Sequence, residues 1–441
     1  MQKFANIWVF GTLSLFYFGP IPWDGASDGR VALVVITAML GLNLGCMSIG
    51  SSAVCTYSTV VPPQLAITKI SAYAVAIVFI LLSANQVYNS TGLSFISPSS
   101  WSLNYGEVYT EFQENTRIVR DSTPLESLMS LIKAALFPVA LVIFCYHFPR
   151  DKILAALFIF PMIGSSFMRG TDKETFDVLV IIIISAFYGG YRRKIIIGSA
   201  VLVPIFLFLF IERKLGRRDD LPACFEFVCI HYDGFLSAIS PKLEFGWAMI
   251  ALYITNGYQG LSVALTVPFE FHFGLGHLQP IERLLCSLTR MMCDVSTYDD
   301  RITEAGWDAA YRWTTLFPTL ANDIHFWLIP VYMFFMGRIM RSAEIFWHNE
   351  KNPVALATLI MFSIFFAYLS ANMQVAISLD WAVGWIVFVY IPIITLKVRR
   401  RSPARFMSRK SGEQSWNMPL AASRECNPHR MPRLINHGRL P

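Results

Sequence analysis

Glu270, His272 and His277 flank a Gly274-Leu-Gly276 turn. Glycine there allows a tight bend or close approach of backbone to a ligand. The carboxylate or either imidazole could take a proton at neutral pH. The alternative is a hydrogen-bonded structural histidine. A polar segment follows, with Arg283, Arg290, Arg301 and Arg312, and closes on Ala321-Asn322-Asp323-Ile324-His325. Upstream, Arg169 and Lys173 share the tight turn Met168-Arg-Gly-Thr-Asp-Lys-Glu174, and Arg213, Lys214, Arg217 and Arg218 precede Asp219-Asp220. Arginine suits bidentate grip on phosphate, and a lipid-linked pyrophosphate at a membrane surface would need such a grip. The alternatives are lipid headgroup contact or solvated loop charge. Asp323 could simply cap the helix that follows it. No Walker loop, Rossmann fingerprint, nucleophile elbow or His-Glu-x-x-His occurs, and no Cys/His cluster has zinc spacing. Neither metal nor cofactor is expected.

The rest of the chain must position these groups, and its composition says how. Of 441 residues, 54% are apolar and 15% charged. Many apolar runs approach the length that crosses a bilayer as a helix. Spanning structures are helices or closed barrels, and uninterrupted apolar runs exclude the alternating strands of a barrel. The expected fold is an all-α polytopic membrane protein of about 10–11 transmembrane helices plus a re-entrant or interfacial helix. Spans are predicted at 4–19, 31–50, 69–86, 125–147, 153–168, 176–190, 195–211, 326–345, 353–371 and 379–396. No paired charges lie in the middle of these runs, as an ion-coupled transporter would often show.

The net charge of +6 is a property of one end. Residues 397–441 hold eleven Lys or Arg against two acids, a net of +9, so the remainder is about −3. Two units follow, a transmembrane domain over 1–399 and a basic tail over 400–441 whose composition predicts disorder. A basic segment after a last span marks a cytoplasmic terminus and calls for no nucleic acid. Lys3, Lys69, Arg150/Lys152, Arg192-Arg193-Lys194 and Lys351 join the tail on the cytoplasmic side. The external segments are then 20–30, 87–124, 169–175, 212–245, 268–325 and 372–378. Cys286 and Cys293 fall outside the cytoplasm, where a disulfide could form.

One run resists this counting. Residues 246–267 lie between two external points, and Asn256-Gly257 and Gly260 interrupt them. The expectation is a pair of re-entrant half-helices or a helix lying in the interface. An ordinary crossing would leave the Arg192 turn or the tail on the wrong side.

Several blocks resemble Wzy-type oligosaccharide repeat-unit polymerases. They are Tyr253-Ile-Thr-Asn-Gly257-Tyr258-Gln-Gly260-Leu261-Ser262-Val-Ala-Leu265, Pro268-Phe-Glu270 and Gly274-Leu-Gly276-His277. Gly306-Trp307, Tyr311-Arg312-Trp313, Leu320-Ala-Asn322-Asp323-Ile-His-Phe326 and Ala371-Asn372-Met-Gln374 follow. Together they cover about 130 residues; the first 150 carry topology alone, and the tail beyond Arg401 matches no part of the pattern. The resemblance implies a C-class (GT-C) membrane glycosyltransferase in the bacterial inner membrane. It would join undecaprenyl-pyrophosphate-linked repeats at the periplasmic face by inverting, metal-independent transfer, for O-antigen, capsule or exopolysaccharide. Its partners would be that lipid-linked oligosaccharide, membrane lipids and a chain-length regulator. On this reading Arg312 and Arg169 grip pyrophosphate, with Lys173 and Arg283 assisting. His277 is the base candidate, with Glu270 next, and Tyr258, Asn322 and Asp323 contact substrate. Two other classes stay open: an O-antigen ligase, and a non-enzymatic flippase or permease. Neither the sugars nor the oligomeric state can be read from the chain.

Overall fold

A computed structural model describes residues 1–50, 53–56, 68–95, 123–148, 150–215, 224–225, 228–229, 235–272, 276–289, 297–371 and 373–400. These are overwhelmingly helical. The first seven helices are α1 (Gln2–Phe18), α2 (Gly29–Met47), α3 (Lys69–Thr91), α4 (Pro124–His147), α5 (Lys152–Met168), α6 (Lys173–Tyr188) and α7 (Arg192–Leu215). Then come α8 (Phe235–Ile239), α9 (Pro241–Ala264), α10 (Gln279–Thr289), α11 (Tyr298–Glu304), α12 (Ala309–Arg312) and α13 (Leu316–Ala321). The last are α14 (Ile329–Glu350), α15 (Pro353–Ala367), α16 (Gln374–Ile377), α17 (Leu379–Trp385) and α18 (Ile391–Thr395), with a π-helical turn, Ile386–Tyr390, joining the final two. The described strands are pieces of two to four residues. Residues 1–399 make one unit; residues 401–441 lie outside the described residues.

All ten apolar runs are helical. Gly29–Met47, Lys69–Thr91 and Leu125–His147 are long and apolar enough to cross a membrane, and Lys152–Met168, Pro353–Ala367 and Leu379–Thr395 are shorter apolar helices. The chain is a helical membrane protein by this measure. Local chemistry starts several helices cleanly. Thr123 and Glu126 form a capping box at α4, and the Asp151 side chain accepts from Leu154 N at α5.

The most extensive helix pair is α2 against α14. Gly41 faces Pro330, Gly45 faces Phe334 and Gly337 faces Leu42, so the two helices run parallel. A Cβ at any of these glycines would collide with the facing carbonyl oxygen. Small residues four apart let helix backbones approach this closely, which drives packing where lipid and side chain are equally apolar.

The run 246–267 is not broken. It lies in one continuous helix, α9, buried along most of its length. Its glycines serve contact rather than interruption: Gly257 meets the Ser370 carbonyl and Gly260 meets the Trp307 indole. The pair of half-helices is therefore replaced by a single helix. Its ends nonetheless meet two points that the counting puts on one side. Gly246 packs on Ile211 near the end of α7, and Ser262 on Gly25 between α1 and α2. Thr12 of α1 hydrogen-bonds the Tyr258 hydroxyl at 3.0 Å, and Trp23, in the connection from α1 to α2, donates to Thr255 at 2.9 Å.

Charge does pair between helices where two of the runs begin and end. Lys133, within the 125–147 run, donates to Asp380 of α17 at 2.5 Å and to Gln86 of α3 at 2.8 Å. Sequence inspection misses this pair because its members lie 247 positions apart. Buried charge survives in apolar surroundings only when paired.

Candidate functional site

The segment 268–325, external in the sequence reading, folds into short helices around one side chain, Asn322. Its Oδ1 accepts from Tyr298 N at 2.7 Å. Its Nδ2 donates to Gly276 O at 3.1 Å and Thr319 O at 3.2 Å. Its main-chain oxygen accepts from His272 N at 2.8 Å. Asn322 is wholly buried, so it acts as a junction between segments far apart in sequence. Gly276 is required here, because a Cβ would overlap the Asn322 side chain.

The junction places Asp323 against the next residue of the loop. Asp323 Oδ2 lies 2.5 Å from His277 Nδ1 and accepts from His277 N at 2.8 Å; Oδ1 accepts from Gly276 N at 3.3 Å. Asp323 thus does not cap a helix. His325 does that, accepting from Trp327 N. Paired to a carboxylate through Nδ1, a neutral imidazole carries its lone pair on Nε2. The His277 ring sits edge-on to Tyr390, centroids 5.7 Å apart. The Tyr390 hydroxyl lies 3.1 Å from that of Tyr332, which accepts from Trp385 Nε1 at 3.4 Å. Aromatic residues of α14, α17 and the π turn therefore fix the ring from the bundle side.

Helices α10 and α11 each supply an acid that sequence reasoning missed, Glu282 and Asp299. Glu282 is buried. Burial pushes its carboxyl up, Arg283 pulls it back, and the charges of Asp323 and Asp300 add to the rise. Gln279 donates to Asp299 at 3.0 Å, and Thr314 donates to the same carboxylate at 3.1 Å. Burial still holds Asp299 above the usual range against those two bonds. Arg301, named in the sequence among the arginines of the polar segment and given no role of its own, is a clasp. It donates to Pro268 O at 2.7 Å and stacks 4.2 Å above the Tyr298 ring, clasping the exit of α9 to α11.

The other expected residues scatter. Glu270 is exposed and 3.7 Å from Arg301, which makes it a rim residue. Tyr258 has no exposed surface and is occupied by Thr12, so it is a core residue and not a substrate contact. Arg312 ends α12 with its guanidinium 5.3 Å from the Trp307 ring centre. The next residue, Trp313, has φ 57°, a left-handed conformation rare for an aromatic residue; its carbonyl is held by Trp307 Nε1 at 3.0 Å. Arg283 is exposed and donates to Gln279 at 3.3 Å.

Arg169 pairs with Glu174 at 3.1 Å in the α5–α6 turn, and Thr171 donates to Glu174 at 2.8 Å. Burial would raise the Glu174 carboxyl, but Arg169, Thr171 and Lys173 outweigh it and hold it below the usual value. Burial lowers the Lys173 ammonium, with Glu174 and Asp177 opposing. The Lys173 carbonyl accepts from Tyr368 at 3.2 Å. The structure thus unites His277, Asn322 and Asp323 with Glu282 nearby, and puts Arg169 with Lys173 in a turn of its own.

Among the described residues no group of three His, Cys, Asp or Glu could hold a metal ion. Cys224 and Cys286 are disulfide-bonded. Cys293, Arg217, Arg218, Arg290 and Asn372 lie outside the described residues. No family model matches the chain, and no curated protein or solved structure matches it.

Proposed function

We propose that this chain is a membrane glycosyltransferase of the Wzy type, polymerising undecaprenyl-pyrophosphate-linked oligosaccharide repeats at the outer face of the bacterial cytoplasmic membrane. One observation carries the reading. The His277–Asp323 pair joins two blocks of the resemblance that are 46 residues apart, and Asn322 of the second block ties both together. A group that can take a proton is thereby held by a carboxylate that itself accepts from two main-chain donors, Gly276 N and His277 N, on a segment read as external. About ten spans, a cytoplasmic tail and a chain-length regulator belong to the same reading.

The chemistry asks little more. The acceptor sugar's hydroxyl loses its proton to Nε2 of His277, while Asp323 keeps the ring in the Nδ1–H tautomer, with Nε2 free to accept, and stabilises the imidazolium. The anomeric carbon becomes oxocarbenium-like as its bond to lipid pyrophosphate breaks. Arg312, with Arg283 assisting, would meet the charge gathering on that leaving group; Arg169 and Lys173, given the same role by the resemblance, sit in the α5–α6 turn, where Arg169 is engaged with Glu174. Replacing Arg312 with Ala should abolish polymer and leave the protein in the membrane. Wild-type chain lengths in that variant would remove Arg312 from the mechanism.

A non-enzymatic flippase is favoured by one observation, the Lys133–Asp380–Gln86 cluster within the bundle. An O-antigen ligase shares the donor and differs in acceptor. Deleting the gene and resolving the surface polysaccharide on a gel separates the three. Core carrying a single repeat, without a ladder, marks a polymerase. Bare core with polymer stranded on carrier marks a ligase. Bare core with single repeats trapped on carrier at the inner face marks a flippase.

A further inference from the structure

Helix α10 buries an amide and an acid and leaves its aliphatic stripe out of the core. On an ideal helix Ile281, Leu284, Leu285 and Leu288 fall within an arc of about 100°. The opposite side carries Gln279, Glu282, Arg283 and Cys286. In a water-soluble protein the leucine stripe would face the core. Here two polar residues face inward instead: Gln279 is 5% and Glu282 8% exposed, while Leu288 is 43% exposed, Ile281, Leu284 and Leu285 are half-buried and Arg283 reaches the surface. None of the four aliphatic residues joins the hydrophobic core.

The neighbours say what covers that stripe. Helix α10 packs on α4, α16 and α17. Ser287 donates to Ser127 in the first turn of α4 at 3.2 Å. That turn carries the exposed Leu125 and Leu128, and α4 is one of the three helices long and apolar enough to cross a bilayer. The stripe on α10 therefore continues the apolar surface of a spanning helix at its end. The disulfide at Cys286 fits an oxidising compartment on that side.

We infer that α10 is an interfacial helix, with Ile281, Leu284, Leu285 and Leu288 in the headgroup–acyl boundary of the bilayer and Gln279 and Glu282 turned into the His277–Asp323 site. Amphipathic helices take up this orientation in a membrane surface. The lying helix expected at 246–267 has its counterpart at 279–289. The inference does not depend on the polymerase reading. On any chemistry it makes one wall of the site a membrane-seated element, so a lipid-anchored substrate would meet the site at bilayer depth.

Nitroxide accessibility tests it with the full chain in phospholipid nanodiscs. Labels go singly on L284C, L285C, L288C and R283C, with the labelled parent chain as background. The expected result is collision with oxygen and protection from a water-soluble nickel chelate at 284, 285 and 288. The ratio of the two should be severalfold higher than at 283. Equal nickel accessibility at all four positions would overturn the inference, since the stripe would face water. Protection from both reagents, or dipolar broadening between labels, would also overturn it, since protein or a second copy would then cover the stripe. Three separate positions ensure that one poorly folded variant does not decide the outcome.

Discussion

Two charged turns compete for attention, and they are built on opposite principles. The Arg169 turn closes on itself: a guanidinium meets a carboxylate on the next helix, a threonine adds a bond, and Tyr368 ties the backbone down. The His277 loop is held almost entirely from behind. Asp323 and Asn322 spend their hydrogen bonds on main-chain groups and on Nδ1, so the ring is oriented through one nitrogen and its chemistry is left to the other. A cluster whose charges satisfy each other stabilises a fold. A cluster whose bonds orient a titratable group prepares a reaction. Residue type alone does not separate these cases, because both turns are rich in charge.

The largest expected effect tests the second half of that contrast. His277→Ala should lower polymer formation by about 10²–10⁴-fold, the usual contribution of a general base, with membrane-inserted protein unchanged on immunoblot. Asp323→Asn keeps an acceptor for the main-chain donors but offers an amide to Nδ1, which selects the wrong tautomer. It should fall nearly as far. If Asp323→Asn instead lost protein from the membrane and His277→Ala kept normal chain lengths, the pair would be structural, and the two turns would be alike.

The next effect is on stability. Arg169→Ala leaves Glu174 without its main partner in a site where both side chains are largely covered. Removing one partner of a buried bonded group costs about 1–3 kcal/mol. The detergent-solubilised protein should melt earlier and retain residual activity. Glu174 stands in the turn 169–175, ahead of the apolar run, and its carboxyl is held below its ordinary 4.5. A depressed carboxyl contributes stability above its unfolded value and loses it as the pH falls through the folded one. Glu174→Gln should therefore destabilise at neutral pH and flatten the loss of melting temperature in acid below about 4.5. Loss of activity in Arg169→Ala at unchanged melting temperature would make Arg169 a substrate ligand after all.

Hydropathy was sufficient for the helices, since apolar runs of spanning length have few other options. It did not reach α9. There Asn256-Gly257 and Gly260 read as a break, yet the same glycines are what a helix needs to pass closely beside Ser370 and Trp307. His277 was legible from its type beside a Gly-x-Gly turn. Its partner Asp323 was legible as a helix cap or, through the resemblance, as a substrate contact, but not as the partner of His277, because a bond spanning 46 residues leaves no local pattern. Glu282 was invisible for a subtler reason. An acid opposite a leucine stripe normally faces water, and the orientation reverses when something other than water covers the stripe, as lipid does in the arrangement inferred for α10. The Lys133–Asp380 pair was missed because each residue alone reads as an isolated polar interruption of an apolar run.

Glu282 supplies the smallest effect and the sharpest sign. Its carboxyl is pushed up by burial, the reverse of Glu174. A raised carboxyl costs stability wherever the folded protein must ionise it. The cost is absent below the ordinary value of 4.5, grows as the pH rises through the folded value, and is complete above it. Glu282→Gln removes the charge and keeps the shape, so it should raise the melting temperature at neutral pH and leave it unchanged below about 4.5. Glu174→Gln should do the opposite over the same range. Thermal melts of both variants across pH 4 to 8 would show two curves diverging from the parent in opposite directions. Parallel curves would mean that the two turns share one electrostatic design, with neither kept poised for chemistry.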